Sequence, residues 1–233
     1  MNDEKKVKIE WLDEIDSTND YAKKRRADKE NLVVVAKRQT GGRGTKGRSF
    51  SSNEGGVYLS ALTFYDALPA SRAFEIMMGA ATAVCNTLQA FGLSPKIKWP
   101  NDILVADKKI CGILIENTFS GAFVQNAVVG IGINVYNQLP EELKDIATSI
   151  YLQTGKTFSV KEVAEKLIEQ LQTPHTAEEY TAFIGYMGER ANLLIGNETR
   201  EAVLLSVDQE GGLWVQLDGE KKRFTSTEIS VRI

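Results

Sequence analysis

Apolar residues follow two rhythms along this chain. Between residues 72 and 91, Phe74, Met77, Ala81, Val84, Leu88 and Phe91 recur every three or four positions, which predicts a long amphipathic helix. Gly92 and Pro95 supply its stop. Elsewhere the runs are short and β-branched. "LVVVA" (32–36) and "VYLSALT" (57–63) read as strands, and "FVQNAVVGIGINV" (123–135) as a buried strand. "KIKWPNDILVADKKICGILIE" (96–116) reads as three short strands, broken at Pro100-Asn101 and at a turn over 106–108. "DSTNDYAKKRR" (16–26) looks like a helix start capped by Asp16, Ser17 or Thr18.

Residues 136–149 carry little periodicity. Two helices should follow, each opened by a capping-box pair: Ser159 with Glu162, and Thr176 with Glu179. After Gly188 the texture changes to short alternating strands at 200–207, 213–217, 222–225 and 229–233, with turns at Gly211-Gly212 and Asp218-Gly219. That predicts a small β-barrel (189–233) appended to an α+β domain (1–188).

Composition narrows the function more than the fold. Net charge is −3 and the sequence pI about 5.4, which argues against a dedicated nucleic-acid binder. "KKRR" (23–26) reads as a solvated face. No apolar run approaches the roughly 20 residues of a membrane span, and no apolar segment follows the charged N-terminus, so the expected location is cytoplasmic. Cys85 and Cys111 are too few for a metal or disulfide framework. His175 is the only histidine, which excludes an H-E-x-x-H zinc site and speaks against a Ser-His-Asp triad.

The segment richest in candidate chemistry is "QTGGRGTKGRSFSS" (39–52), with four glycines and three cations between two strands. Glycines 42, 44 and 47 would let the backbone take positive φ and approach an anion, forming a nest of N–H groups. Arg43 and Arg48 bring charge and a planar fork suited to carboxylate or phosphate. Taken alone, such a loop could hold a phosphate, grip RNA or be a mobile surface turn.

Four ordered segments together resemble the biotin–protein ligase family: "DSTN" (16–19), "GRGTKGRSF" (42–50), "KWPNDILV" (98–105) and "KKICGILIE" (108–116). "GIGINV" (130–135) and "EISVR" (228–232) extend the match over nearly the whole chain. The resemblance implies a mixed β-sheet with helices on one face, similar to class II aminoacyl-tRNA synthetases, and an SH3-like C-terminal barrel. It also implies a two-step reaction. Biotin and ATP give biotinyl-5′-AMP and pyrophosphate, and biotin then passes to a lysine of a biotin carboxyl carrier domain. A biotin carboxylate is ionised at pH 7, so adenylation needs alignment and charge neutralisation, not a histidine base.

By that resemblance, Ser17, Thr18, Asn19 and Gln39 line the biotin ureido pocket, with Gly42, Gly112 and Gly130 permitting close approach. Arg43 approaches the carboxylate and the phosphate, and Lys109 sits beside the carboxyl–phosphoryl junction. Gly44, Thr45, Lys46, Arg48, Phe50, Asn101, Gly132 and Asn134 belong to the nucleotide side, with Asn101 and Asp102 projecting from the end of "KWPND". Phe50 forms an apolar wall, and Asn134 lies near ribose or adenine. Asp102 lies near the phosphates and an Mg²⁺ ion, the metal expected with phosphate and carboxylate oxygens. Residues 136–149 fall where the family has a loop that shields the adenylate. Glu228 and Arg232 link the barrel to the site.

Two positions depart from the family pattern. Thr45 stands where a second arginine is common, which implies a looser hold on the adenylate. Thr227 stands where a glycine often precedes "E-[IV]-S". Only 15 residues precede Asp16, so the expectation is a ligase without the N-terminal winged helix-turn-helix, not binding operator DNA. Two other readings stay open: a lipoate or octanoate ligase or transferase of the same fold, and a non-catalytic RNA-binding module. A homodimer is neither required nor excluded.

Overall fold

The computed structural model describes residues 7–232. Two sheets are formed. The larger has seven strands in the order β1-β2-β3-β7-β6-β5-β4. These are β1 (Lys8–Ile15), β2 (Leu32–Gln39), β3 (Gly56–Pro69), β4 (Lys96–Lys98), β5 (Asp102–Val105), β6 (Lys108–Ser120) and β7 (Phe123–Asn134). β1 runs parallel to β2, and every other neighbouring pair is antiparallel. Strand β1 has no strong signal in the sequence, because its charged residues leave only a weak apolar alternation on an exposed edge.

Because successive strand residues point to opposite faces, the sheet sorts its own side chains. Val33, Val35, Val57, Leu59, Val129, Ile131 and Ile133 face a layer made by α2 (Phe74–Ala90), α4 (Val160–Gln172) and α5 (Ala177–Phe183), joined by Ile150 of α3 (Ile150–Thr154). Helix α2 carries Ala80, Ala81, Val84, Cys85 and Leu88 into this core. Cys85 and Cys111 are both buried and free. Thr176 and Glu179 form the full reciprocal capping box, while at Ser159 the described bond is the hydroxyl accepting from the Glu162 amide, at 3.1 Å.

The layer of α2, α4 and α5 covers one face as expected, with one short helix as the exception. Helix α1 (Thr18–Lys24) lies on the opposite face, where Ala22 packs with Leu32, Val34, Leu62 and Val128. Its position follows from the chain path: β1 ends at Ile15, and Ser17 caps the helix at once by accepting from the Asp20 amide. The capping segment is therefore delivered to the sheet face that the other helices leave open.

The second sheet is antiparallel, in the order β11-β10-β9-β8-β12. It comprises β8 (Arg190–Ile195), β9 (Glu198–Val207), β10 (Leu213–Leu217), β11 (Glu220–Phe224) and β12 (Ile229–Arg232). Among the described residues the edge strands β11 and β12 do not pair with each other, so the expected barrel is an open five-stranded sheet. Ile233, the last residue of the expected final strand, lies outside the described residues. Trp99 of the first sheet's β4–β5 turn enters this second core beside Leu193, Leu213 and Val215, and its indole N–H donates to the Gly211 carbonyl at 3.1 Å. Among the described residues no helix is long and apolar enough to cross a membrane.

Candidate active site

Three glycines make the floor of a cleft of about 580 Å³ on the α1 face of the large sheet. Gly112 of β6 stands opposite Gly132 of β7, and Gly130 follows two residues earlier on the same face. Side chains lie directly on this bare backbone. A Cβ at Gly130 would meet the Asn19 carboxamide, with Cγ at 2.8 Å. One at Gly132 would meet the Phe50 ring, with Cζ at 2.7 Å, and one at Gly112 would come within 3.1 Å of the Lys109 ammonium.

Most of the residues expected in the site converge here. Ser17, Thr18, Asn19, Gln39, Arg43, Gly44, Thr45, Arg48, Phe50, Asn101, Asp102, Lys109 and Asn134 line the cleft with the three glycines. Gly42 does not. It is needed for packing instead, since a Cβ there would clash with the Ser52 hydroxyl and lie 2.5 Å from the Phe50 carbonyl. The Lys46 side chain lies outside the described part of the structure. The positive-φ expectation for the loop glycines holds for Gly47 alone, at φ 74°. Gly44 is extended, at φ −111°. The loop is a small closed hairpin: the Phe50 amide donates to the Gly42 carbonyl (2.9 Å) and the Gly44 amide to the Arg48 carbonyl (2.6 Å). Its amides are in part spent on the loop itself, which limits the nest expected of them.

At one end the groups lining the cleft are Ser17, Thr18, Asn19 and Gln39, all polar and neutral, with charged residues behind them. The Gln39 side-chain oxygen accepts from the Thr18 amide at 2.8 Å and lies 3.0 Å from the Thr18 hydroxyl. The Gln39 amide nitrogen donates to Ser52 at 2.9 Å. The fully buried Ser60 hydroxyl joins Thr18 Oγ1 (2.8 Å) to Asn19 Oδ1 (2.6 Å). Asn19 Nδ2 then donates to Glu116 (2.8 Å), whose second oxygen accepts from Lys23 (2.8 Å). Lys23 also pairs with Asp20 (2.7 Å), and Asp20 in turn pairs with Arg43. A single run of polar contacts thus links Gln39 to the loop arginine. Burial of Glu116 opposes ionisation, but the bonds from Lys23 and Asn19 together outweigh it and hold its carboxyl below the usual range.

The other end is ionic. Lys109 Nζ lies 2.6 Å from Asp102 Oδ1 and 5.9 Å from the centre of the Phe50 ring. Lys98 lines the same end, and burial pushes its ammonium down, against the attraction of Asp102. Arg43 and Arg48 stand on the loop above. Arg48 folds along its own turn, with Nη2 3.3 Å from the Thr45 hydroxyl.

Two expected ligand groups are committed to the protein's own backbone. Asn101 does not project as expected. Its side-chain nitrogen donates to the Ile113 carbonyl at 2.9 Å while its backbone carbonyl accepts from the Ile113 amide at 3.1 Å, bracing β5 against β6. Asn134 donates to the Thr148 carbonyl (3.0 Å) and accepts from Asn137 (3.0 Å), so it ties down the segment after β7. That segment is more ordered than its sequence suggested. The Lys109 amide donates to the Ile146 carbonyl (2.9 Å) and the Thr148 amide to the Lys109 carbonyl (2.8 Å), so residues 146–148 run beside the start of β6. Leu139, Leu143, Ile146 and Ala147 become a wall of the cleft.

Sequence reasoning missed Ser60, Glu116 and Lys98 as site residues. Glu116 could have been found, because it follows Gly112 and Leu114 at the two-residue period of one strand face. Lys98 was already inside the "KWPND" motif. Ser60 is one hydroxyl in an apolar strand and carries no comparable signal.

Residues 11–134 match the model of the Biotin/lipoate A/B protein ligase family. The bifunctional ligase/repressor BirA of Bacillus subtilis is 34% identical over 218 residues, covering 87% of this chain and 66% of that protein. The biotin protein ligase of Aquifex aeolicus, solved in complex with biotin and ATP, has a TM-score of 0.75 at 30% identity and covers 97% of this chain and 98% of its own. That of Leishmania major, solved with biotinyl-5-AMP, has a TM-score of 0.63 at 25% identity over 94% and 99%. The matched stretch runs from β1 to the end of β7 and so carries the glycine floor and both ends of the cleft with it: the chain belongs to the Biotin/lipoate A/B protein ligase family.

Proposed function

We propose that this chain is a biotin–protein ligase, which makes biotinyl-5′-AMP from biotin and ATP and then biotinylates a lysine of a biotin carboxyl carrier domain. The observation that carries the reading is the division of one cleft into a neutral polar end and a cationic end, joined by a floor of glycines. A ureido ring offers two N–H donors and one carbonyl, which suits the hydroxyl and amides at Thr18, Asn19 and Gln39, backed by the buried Ser60 hydroxyl. A fatty acyl chain would gain nothing from them. Relatives solved with biotin, ATP and biotinyl-5-AMP support the same assignment.

Held by its ring, biotin extends its carboxylate toward Lys109 and Arg43. The carboxylate needs no base. It attacks the α-phosphorus, and pyrophosphate leaves. Lys109 and Arg43 neutralise the charge gathering between the two anions, while Arg48 and Lys98 attract the departing phosphates. In the second step the carrier lysine amine attacks the mixed anhydride carbonyl, an amide forms and AMP leaves. The Asp102 carboxylate, beside Lys109, takes up the amine's proton. Residues 139–147 shield the anhydride from water.

An Mg²⁺ ion fits the donor set in one way only. Among the described residues no group of three His, Cys, Asp or Glu side chains could cage a metal. Mg²⁺ is commonly held by one or two carboxylates plus substrate phosphates, and Asp102 supplies such a carboxylate. When bound there, the ion would neutralise phosphate charge. On this reading residues 1–188 form the catalytic unit, 189–233 an accessory unit braced by Trp99, and the setting is cytoplasmic, where ATP is available.

The test is direct. The protein is incubated with biotin, ATP, Mg²⁺ and a carrier domain, and the carrier is weighed by mass spectrometry. A biotin adduct requiring both biotin and ATP is expected. No adduct, or a lipoyl adduct formed as readily, contradicts the reading.

A further inference from the structure

The polar end of the cleft contains an arithmetic mismatch. Asn19 Oδ1, Ser60 Oγ, Thr18 Oγ1 and Gln39 Oε1 follow one another at 2.6, 2.8 and 3.0 Å. Three short oxygen–oxygen contacts need three protons, but the two hydroxyls supply only two. The outer members can lend none while they face inward as carbonyl oxygens. Gln39 is fixed that way because its oxygen accepts the Thr18 backbone N–H at 2.8 Å and its nitrogen donates to Ser52 at 2.9 Å. Asn19 is fixed that way by Glu116, since a carboxylate can only accept and therefore holds the Asn19 nitrogen at 2.8 Å.

We propose that Glu116 is a positioning residue: by turning the Asn19 amide it keeps this end of the cleft one proton short, so that the end selects a ligand bringing an N–H donor. This rests on the biotin reading, in which a ureido N–H is the donor supplied. A buried oxygen without its donor is costly, and the ligand's N–H removes that cost on binding. Glu116 is itself held in place, because Lys23 donates to its other oxygen at 2.8 Å.

The Lys23 contact also makes the proposal testable with one isosteric change. In Glu116→Gln, the oxygen must remain on the Lys23 side, because an ammonium only donates. The new amide nitrogen then faces Asn19, whose carboxamide must turn round and present its own nitrogen to Ser60. The series becomes Asn19 to Ser60 to Thr18 to Gln39, with three protons for three contacts. The end is now satisfied without a ligand.

The experiment compares full-length wild type and Glu116→Gln by calorimetric titration with biotin and with ATP, and by melting without ligand. The expected result is a biotin Kd weaker by about tenfold or more, an unchanged ATP Kd, and a ligand-free melting temperature no more than about 2 °C below wild type. A residue that merely props up the fold would lower the melting temperature along with the affinity. An unchanged biotin Kd, an equal loss of ATP binding, or a variant that melts far earlier or fails to fold overturns the proposal. If wild type itself binds no biotin, the ligase reading fails and this inference with it. If wild type binds biotin and the variant binds it equally, only the role of Glu116 is overturned.

Discussion

Replacing Gly130 by alanine puts the glycine floor under the most direct strain. The new Cβ would lie 2.8 Å from Asn19 Cγ and 3.0 Å from Asn19 Nδ2, where carbon contacts prefer about 3.5–4.0 Å. The carboxamide must therefore retreat by roughly 1 Å. It is held on both sides, by Ser60 at 2.6 Å and by Glu116 at 2.8 Å, so the retreat breaks one neutral and one charge-assisted hydrogen bond. At about 0.5–1.5 and 1.5–3 kcal/mol respectively, the loss is about 2–4.5 kcal/mol. For a chain of this size that corresponds to a fall of roughly 5–15 °C in melting temperature. Thermal unfolding followed by circular dichroism reads it. Gly79→Ala is the matched control: Gly79 lies inside α2 with nothing within 4 Å of a new Cβ, so removing its backbone freedom should stabilise by about 0.5–1 kcal/mol. A Gly130→Ala protein that melts with wild type and binds biotin equally well would mean that the carboxamide has no fixed place against the glycine floor.

Three further expectations concern charge. Lys109→Ala removes the ammonium beside Asp102 and should slow adenylation about 10²- to 10³-fold in single-turnover experiments; a change under tenfold would place the charge elsewhere. Thr45→Arg should slow dissociation of biotinyl-5′-AMP, measured by chase with unlabelled biotin and ATP, since it adds a cation where Arg48 now bonds the Thr45 hydroxyl; an unaltered release rate counts against it. Asp208 is held down to about 2 by Arg223 first, and also by the Gly212 amide and the Trp214 indole, against the effect of burial. A depressed carboxyl contributes stability above its unfolded value near 3.8 that is lost as pH falls through about 2. Asp208→Asn should therefore flatten the loss of stability between those two pH values; an acid limb as steep as wild type's is the contrary result.

The elements with a strong period were legible. The spacing from Phe74 to Phe91 marks α2 because that helix buries one continuous stripe, and the β-branched runs mark strands covered on both faces. β1 was hidden because its partner, β2, lies beyond α1, and because an edge strand can afford charges on both faces. The placement of α1 was also hidden, since "DSTN" announces a cap but not which side of a sheet the helix will cover. Within the site, residue types were easier to read than their hydrogen-bond partners. Gln39, Asn101 and Asn134 were all recognisable as amides near a ligand, yet the latter two spend their groups on Ile113 and Thr148, and Gln39 spends its own on Thr18 and Ser52. Those partners are far away in sequence, or reached through a backbone carbonyl that has no side-chain identity to read. Glu116 stood in a quoted motif, but its meaning depends on Asn19 and Lys23, brought to it by the packing of α1 against the sheet.

Exchange of labelled pyrophosphate into ATP tests, without any carrier protein, whether the cleft joins biotin to the α-phosphate of ATP. The expected exchange requires biotin and Mg²⁺, does not occur with lipoate in place of biotin, and falls sharply in Lys109→Ala. Exchange absent with biotin, or equally fast with lipoate, would contradict it.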